Sequence, residues 1–255
     1  MEIPKIIHYC WFGNNPLTPL AEKCVQSWGK FCPDYEIKRW DESNFDINCH
    51  PFVKEAYEEK KWAFVSDYVR VWALYEFGGV YLDADAEVIK DLEPIMCNSA
   101  VTGYEEDMWI PAALMASEKG NPWIKSLLDY YDGRHFRKED GTLDVKPNTA
   151  IITELSMEKW GFKIGDKTID AAGVTLLDSE YLTPYKINAI GGGEPTFKID
   201  KDKTYVIHHF AGSWATQYKG RSLVRGCKAM IRRILPRKLY IKIKKKLYKN
   251  KNEWK

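Results

Sequence analysis

The sequence predicts an α/β fold, a sheet flanked by helices, followed by a basic helical C-terminal extension. Three observations carry this. Strand-like apolar runs alternate with helix-period stretches through the first eighty residues, the pattern of a sheet with helices on its faces. The run from Ser66 to Asp85, SDYVRVWALYEFGGVYLDAD, reads as a helix, a Gly-Gly turn, a short buried strand and two aspartates one residue apart. Charge is divided along the chain. Residues 219–255 hold fifteen Lys/Arg and one acid, Glu253, a balance of +14, whereas the preceding 218 residues hold 23 basic and 35 acidic side chains, a balance of −12. A chain of 255 residues suits one sizeable domain over 1–218 with an amphipathic tail over 219–255.

The elements follow in order. Lys5 to Trp11 is apolar and partly β-branched, a first strand, and Asn14-Asn15-Pro16 is a turn. Thr18-Pro19 caps and begins a helix to about Phe31, which Cys32-Pro33-Asp34 breaks. Tyr35 to Trp40 alternates as a second strand. This alternation argues for a parallel sheet. Pro51 to Lys60 is a charged helix, and Trp62 to Phe77 a longer one with Val65, Val69, Trp72 and Leu74-Tyr75 at helical spacing. Gly78-Gly79 ends it, and Val80-Tyr81-Leu82 is the central strand. Ala100–Gly103 and Ala112–Ala116 read as strands, Pro122–Asp132 and Thr149–Trp160 as helices, and Gly133–Lys146 as a loop. Thr175–Leu177 and Tyr205–His209 are late strands, with a turn at Gly191-Gly192-Gly193 between them.

Composition narrows the function classes. The start MEIPKIIHYCWFG lacks a basic region and a long apolar core, so it does not read as a signal peptide, and no run of ~20 apolar residues suggests a membrane span. Cys10, Cys24, Cys32, Cys49, Cys97 and Cys227 show neither CxxC pairing nor zinc spacing, and reduced cytoplasmic thiols are expected. Ten Trp and fifteen Tyr suit sugar recognition, although most are expected in the core.

Asp83 and Asp85 carry the chemistry. They sit at the carboxyl end of a buried strand, where α/β proteins bind ligands. Small Ala84 separates them, so both can face one hard cation, Mn²⁺ or Mg²⁺, held together with a phosphate-bearing substrate. A surface turn with two acids is the bland alternative. Asp67 and Arg70, three apart, share a helix face as an ion pair or as a pair reading hydroxyls.

The string S-D-x-x-R-x-x-x-L-x-x-x-G-G-V-Y-L-D-x-D resembles the sugar-binding region with a DXD motif of family 32 glycosyltransferases, and is similar to the matching stretch of the glucosylating clostridial toxins. Ile3-Pro4-Lys5-Ile6-Ile7-His8, Trp11 and His208-His209-Phe210-Ala211-Gly212-Ser213-Trp214 extend the resemblance. It implies a GT-A type, Rossmann-like mixed sheet and a retaining, metal-dependent transfer of a hexose from a nucleotide sugar, UDP-linked by preference, to a saccharide acceptor. Asp83 and Asp85 would hold the metal, closed by His209, five residues before Trp214; on a strand His208 would face the other way, so only one of the two histidines would be the ligand and His208 is the open alternative. Asp67 and Arg70 would hold the donor sugar, with Ser66 and Tyr81 beside them. Trp11 would stack on the base, and Ser213 and Trp214 would meet the diphosphate. Asn148 and Thr149 stand where the family often has Gly-Pro.

By the same resemblance the enzyme would serve bacterial capsule or lipopolysaccharide assembly, with an acceptor that can be lipid-linked. The tail, with apolar and cationic residues on a helix broken at Pro236, suits an anionic membrane surface, which would place the protein on the inner face of the cell membrane. Nucleic acid is not the expected partner. Two other readings compete. A haloacid-dehalogenase-type phosphatase also places D-x-D after a strand, but wants Thr or Val where Glu87 stands. A non-catalytic carbohydrate or nucleotide-sugar binder need not keep Asp67, Arg70, Asp83, Asp85 and His209 together.

Overall fold

The computed structural model describes residues 2–105, 109–163, 168–182, 185–186, 196–197 and 199–211. All of these except Thr196 lie in one compact unit. The expected boundary at 218, the tail, the Gly191–Gly193 turn, Ser213 and Trp214 lie outside the described residues.

The strands are β1 (Ile6–Cys10), β2 (Glu36–Trp40), β3 (Gly79–Leu82), β4 (Ala86–Val88), β5 (Ala100–Gly103), β6 (Leu114–Ser117), β7 (Ile169–Ala171), β8 (Val174–Leu177), β9 (Tyr185–Lys186), β10 (Thr196–Phe197) and β11 (Val206–His208). The helices are α1 (Pro19–Phe31), α2 (Pro51–Glu58), α3 (Trp62–Phe77), α4 (Pro122–Leu128), α5 (Asn148–Trp160) and α6 (Ser179–Leu182). Seven strands form one sheet in the order β2-β1-β3-β6-β5-β8-β7. The pairs β1/β2, β1/β3 and β5/β8 are parallel, whereas β3/β6, β5/β6 and β7/β8 are antiparallel. The sheet is therefore mixed, as the resemblance implied: the parallel pairing expected from strand–helix–strand alternation holds for β2, β1 and β3 and again for β5 and β8, and β6 runs antiparallel between the two groups.

Local chemistry sets the helix starts. Thr18 accepts the Ala21 N–H at 3.2 Å to cap α1, with Pro19 in its first turn. Asn121 caps α4 in the same way through Trp123 and Ile124. The cap of α2 is His50, whose Nδ1 accepts the Phe52 N–H at 3.1 Å.

Alternation along β3 divides the core. Val80 and Leu82 point toward α1, joining Ile7, Cys24 and Trp28. Tyr81 points the other way, into the cluster holding Val65 and Val69 of α3. Each fully buried Val or Leu contributes about 1.5–3 kcal/mol, so a register slip that exchanged the two faces would be strongly opposed. Gly79 has φ 98°, and a Cβ there would lie 2.6 Å from the Ile6 carbonyl oxygen, so only glycine lets α3 turn into a strand this close to β1. Buried His8 holds the same corner. Its Nε2 bonds to the Gly78 carbonyl at 2.8 Å while Nδ1 accepts the Trp40 indole N–H at 3.2 Å, a pattern that fits the neutral ring.

After β3 the chain leaves the sheet. Ala86 N–H bonds back to the Asp83 carbonyl at 2.8 Å, making a turn across Asp83-Ala84-Asp85. Strand β4 then pairs antiparallel with β11, matching Ala86 with His208 and Val88 with Val206. Helix α1 fixes β4 from behind: Trp28 Nε1 donates to the Ala86 carbonyl at 2.8 Å, and the Val88 N–H donates to Ser27 Oγ at 3.0 Å.

Candidate active site

The parallel strands β2, β1 and β3 run in chain order 2-1-3, so the strand order reverses between β1 and β3. Ligands of open α/β sheets bind beyond the carboxyl ends of the strands at such a reversal. Trp11 follows β1 there and Asp83 follows β3.

Arg70 is the centre of the inner part. It lies on the buried face of α3, 5% exposed. Its Nη1 donates to the Ala112 carbonyl at 2.8 Å and reaches Asp83 Oδ1 at 3.1 Å, and its Nη2 reaches Asp67 Oδ1 at 2.9 Å. Its guanidinium carbon lies 4.7 Å over the Tyr81 ring. Tyr81 and Asp83 share a face of β3 by alternation, and the Tyr81 hydroxyl donates to Asp83 Oδ1 at 3.1 Å. Burial opposes the charge on Arg70, but Asp83, with Asp67, outweighs it and holds it protonated. Burial raises the Asp67 carboxyl to about 7 against the pull of Arg70. Burial also pushes the Tyr81 hydroxyl well above its usual range, so it stays a donor to Asp83.

Ser66 opens this row, its Oγ donating to the Trp62 carbonyl at 3.1 Å. Cys10 lies beneath, with its thiol pushed up to about 12 by burial, an inert packing group. Tyr131 faces Asp67 and takes a 3.2 Å hydrogen bond from the Asn148 amide. Asn148 Oδ1 is buried without a partner among the described residues.

The outer part comes from far along the chain. Asp85 Oδ1 is 3.3 Å from His208 Nε2, and its Oδ2 accepts the Ala211 N–H at 2.8 Å. Burial opposes the Asp85 charge, yet His208 and that N–H hold the carboxyl below its ordinary value. Asp85 in turn raises His208, against its burial. One donor atom from each of Asp83, Asp85 and His208 lies within 4.8 Å of the others.

His209 occupies a different place from the one expected. On β11 the register sets His208 opposite Ala86, and side chains alternate, so His208 turns to Asp85 and His209 to the far side. There His209 Nε2 bonds to Glu87 Oε2 at 2.8 Å, and Lys23 of α1 reaches the same oxygen at 2.8 Å. Among the described residues it is His208, rather than the expected His209, that lies beside the two aspartates, while His209 lies at the Glu87 contact. Glu87, Lys23 and the Ala112 carbonyl carry no motif signal in the sequence. The tandem His-His was the one signal that could have found His208, since strand alternation guarantees that only one of the two faces Asp85.

The donor set fits a hard or borderline divalent ion. Two carboxylate oxygens and one imidazole nitrogen leave coordination positions for substrate oxygens, as Mn²⁺ and Mg²⁺ require. Further, His208 Nδ1 is buried with no partner among the described residues. Trp11 is half-buried, its Nε1 donating to the Asn15 carbonyl at 2.8 Å.

Residues 19–102 match the family model described as glycosyltransferase sugar-binding region containing DXD motif. This stretch includes Asp67, Arg70, Asp83 and Asp85. Inositol phosphoceramide mannosyltransferase 3 of Schizosaccharomyces pombe is 33% identical over 130 residues, covering 48% of this chain and 35% of that protein. The match thus spans about a third of that relative's length. Among solved structures, the PaToxG glycosyltransferase aligns with a TM-score of 0.47 and 18% identity, covering 62% of this chain and 69% of the other. The galactosyltransferase LgtC, solved with donor and acceptor sugar analogues, aligns with a TM-score of 0.37 and 14% identity over 69% of this chain and 74% of the other.

Proposed function

We propose that this protein is a metal-dependent glycosyltransferase of the GT-A type that moves a hexose from a nucleotide sugar to a saccharide acceptor. The observation that carries the reading is the cluster of Asp83, Asp85 and His208 within 4.8 Å, set against Arg70 at the end of the central strand. Asp83, Asp85 and His208 would hold Mn²⁺ or Mg²⁺. A divalent ion bound there supplies positive charge to a departing diphosphate.

The remaining work falls to the chain itself. Arg70 and Tyr81 fix the Asp83 carboxylate from the protein side, so its orientation is set before substrate arrives. Asp67, beside Arg70, offers carboxyl oxygens to sugar hydroxyls, and Ser66 adds a hydroxyl to the row. Trp11 offers a ring face to the base. Ser213 and Trp214 are proposed for the diphosphate. Transfer would proceed with retention at the anomeric carbon, through a front-face route, because the carboxylates at the strand end are committed to metal and Arg70. UDP-hexose is the favoured donor, with GDP-mannose the main competitor. A role in bacterial surface polysaccharide assembly, a lipid-linked acceptor and membrane attachment through residues 219–255 belong to the same proposal. No helix among the described residues is long and apolar enough to cross a membrane.

Nucleoside diphosphate release from UDP-glucose, UDP-galactose, their N-acetyl forms and GDP-mannose, with Mn²⁺ and with chelator, tests the reading. Release from one donor that chelator abolishes is expected. Release of inorganic phosphate instead would favour the phosphatase reading. Absence of both release and nucleotide binding, with lipid-extract acceptors present, would favour the non-catalytic binder.

A further inference from the structure

Four residues outside the metal cluster close a ring between the loop after β1 and the start of α3. The Gly13 N–H donates to Glu42 Oε1 at 2.6 Å, and the Tyr57 hydroxyl donates to the same oxygen at 3.1 Å. The Tyr57 ring packs edge-on against Trp62, centroids 4.9 Å apart. The Trp62 indole returns to Gly13, where a Cβ would lie 2.7 Å from two ring atoms and φ is 99°. Gly13 is glycine because both the backbone angle and the indole demand it. Its partners come from the segment after β2, from α2 and from the first turn of α3, so tertiary packing alone assembles the ring.

The ring joins two places that matter. Gly13 is two residues from Trp11 and two from Asn15, whose carbonyl takes the Trp11 indole N–H at 2.8 Å. Trp62 opens the helix that carries Ser66, Asp67 and Arg70, and its carbonyl accepts the Ser66 hydroxyl at 3.1 Å. We infer that Glu42 is a positioning residue that sets the span between the base-holding loop and the sugar-holding helix. This rests on the donor reading above, in which Trp11 meets the base. The short N–H to carboxylate bond is of the charge-assisted kind, and one acceptor oxygen serves both donors, so removing it frees the loop and Tyr57 together. Glu42 touches neither metal ligand nor reacting atom in this scheme; it acts through Gly13.

The test uses the full chain with Mn²⁺. Calorimetric binding of UDP and of GDP, and steady-state donor hydrolysis, are measured for wild type, Glu42→Ala, Glu42→Gln and Tyr57→Phe. Glu42→Ala is expected to weaken nucleotide binding and raise donor KM about tenfold, the scale of one lost charge-assisted hydrogen bond, with kcat changed much less. Glu42→Gln keeps an acceptor oxygen of the same reach and should stay within about threefold of wild type, with Tyr57→Phe between the two. A role confined to stability would lower the unfolding midpoint and leave Kd and KM alone. Glu42→Ala that unfolds cooperatively and binds like wild type would overturn the inference while leaving the donor reading intact. If Glu42→Ala does not fold, Glu42→Leu, which removes the acceptor oxygens but keeps the side-chain bulk, takes its place, and a wild-type Kd and KM there would overturn it equally. Wild type that binds neither UDP nor GDP would overturn the donor reading, and this inference with it.

Discussion

The two halves of the site are built in opposite ways. Asp83 is held by Tyr81 two residues before it and by Arg70 from the preceding helix, in a cluster where Arg70 is 5% exposed. Asp85 is held by His208 and Ala211, more than 120 residues away, through a two-stranded ladder apart from the main sheet. The inner half is local, buried and mutually paired. The outer half is long-range and rests on three matched residue pairs between β4 and β11. Two carboxylates proposed to hold one cation are thus given different anchors.

Replacing Arg70 by Ala strikes the inner half hardest, because Asp67 and Asp83 lose their shared cation in a buried place. A loss of about 3–5 kcal/mol in urea unfolding is expected, and a near-wild-type midpoint would show that the inner half is not the rigid one. Asp85→Ala strikes the outer half, with the fold expected to persist. Metal-dependent turnover should fall about 10²–10³-fold, and normal turnover would remove the metal assignment.

Proton titration probes the core beneath the inner half without metal. His8, in the corner beneath β3, is lowered to about 4 by burial. Its folded value lies below the unfolded one near 6.5, so the unfolded chain binds more protons between the two. Stability is full above about pH 6.5 and is lost as pH falls through 4, by roughly 3 kcal/mol. Unfolding curves of wild type and His8→Gln should diverge across that window; parallel curves would mean His8 does not carry the acid sensitivity. The finest comparison lies within the outer half. His208→Ala is expected to weaken Mn²⁺ affinity about 10–100-fold, whereas His209→Ala, tied to Glu87, should stay within about threefold. Equal losses would merge the two histidines into one role and restore His209 as a candidate ligand.

The inner half was legible in the sequence because its spacing is short. Helix period sets Asp67 and Arg70 on one face of α3, and strand alternation sets Tyr81 and Asp83 on one face of β3. The helix starts were legible for the same reason, as with Thr18-Pro19. The outer half was legible only in part: Asp85, the late strand and the tandem histidines stood out, but their pairing did not. β4 is a three-residue strand with no pattern to find, and which histidine faces Asp85 depends on a register set by tertiary pairing. The strand β7 and the short helix α6 were missed likewise, each having fewer residues than a periodicity needs. The antiparallel pairings of β6 were hidden because alternation of element types does not reveal strand direction.

The ladder between β4 and β11 has a consequence for synthesis. The bond from Ala211 to Asp85 spans 126 residues, which at about 5–20 residues per second take roughly 6–25 s to make. During that interval the growing chain can assemble the parallel strands and the Arg70 cluster, while Asp85 waits for its imidazole. Ribosome-released chains stopped before Val206 are expected to lack the Mn²⁺ affinity of chains carried past Ala211. If they bind the ion equally well, the late strand is dispensable. Otherwise the proposed metal site is completed late in translation, after the inner half is already in place.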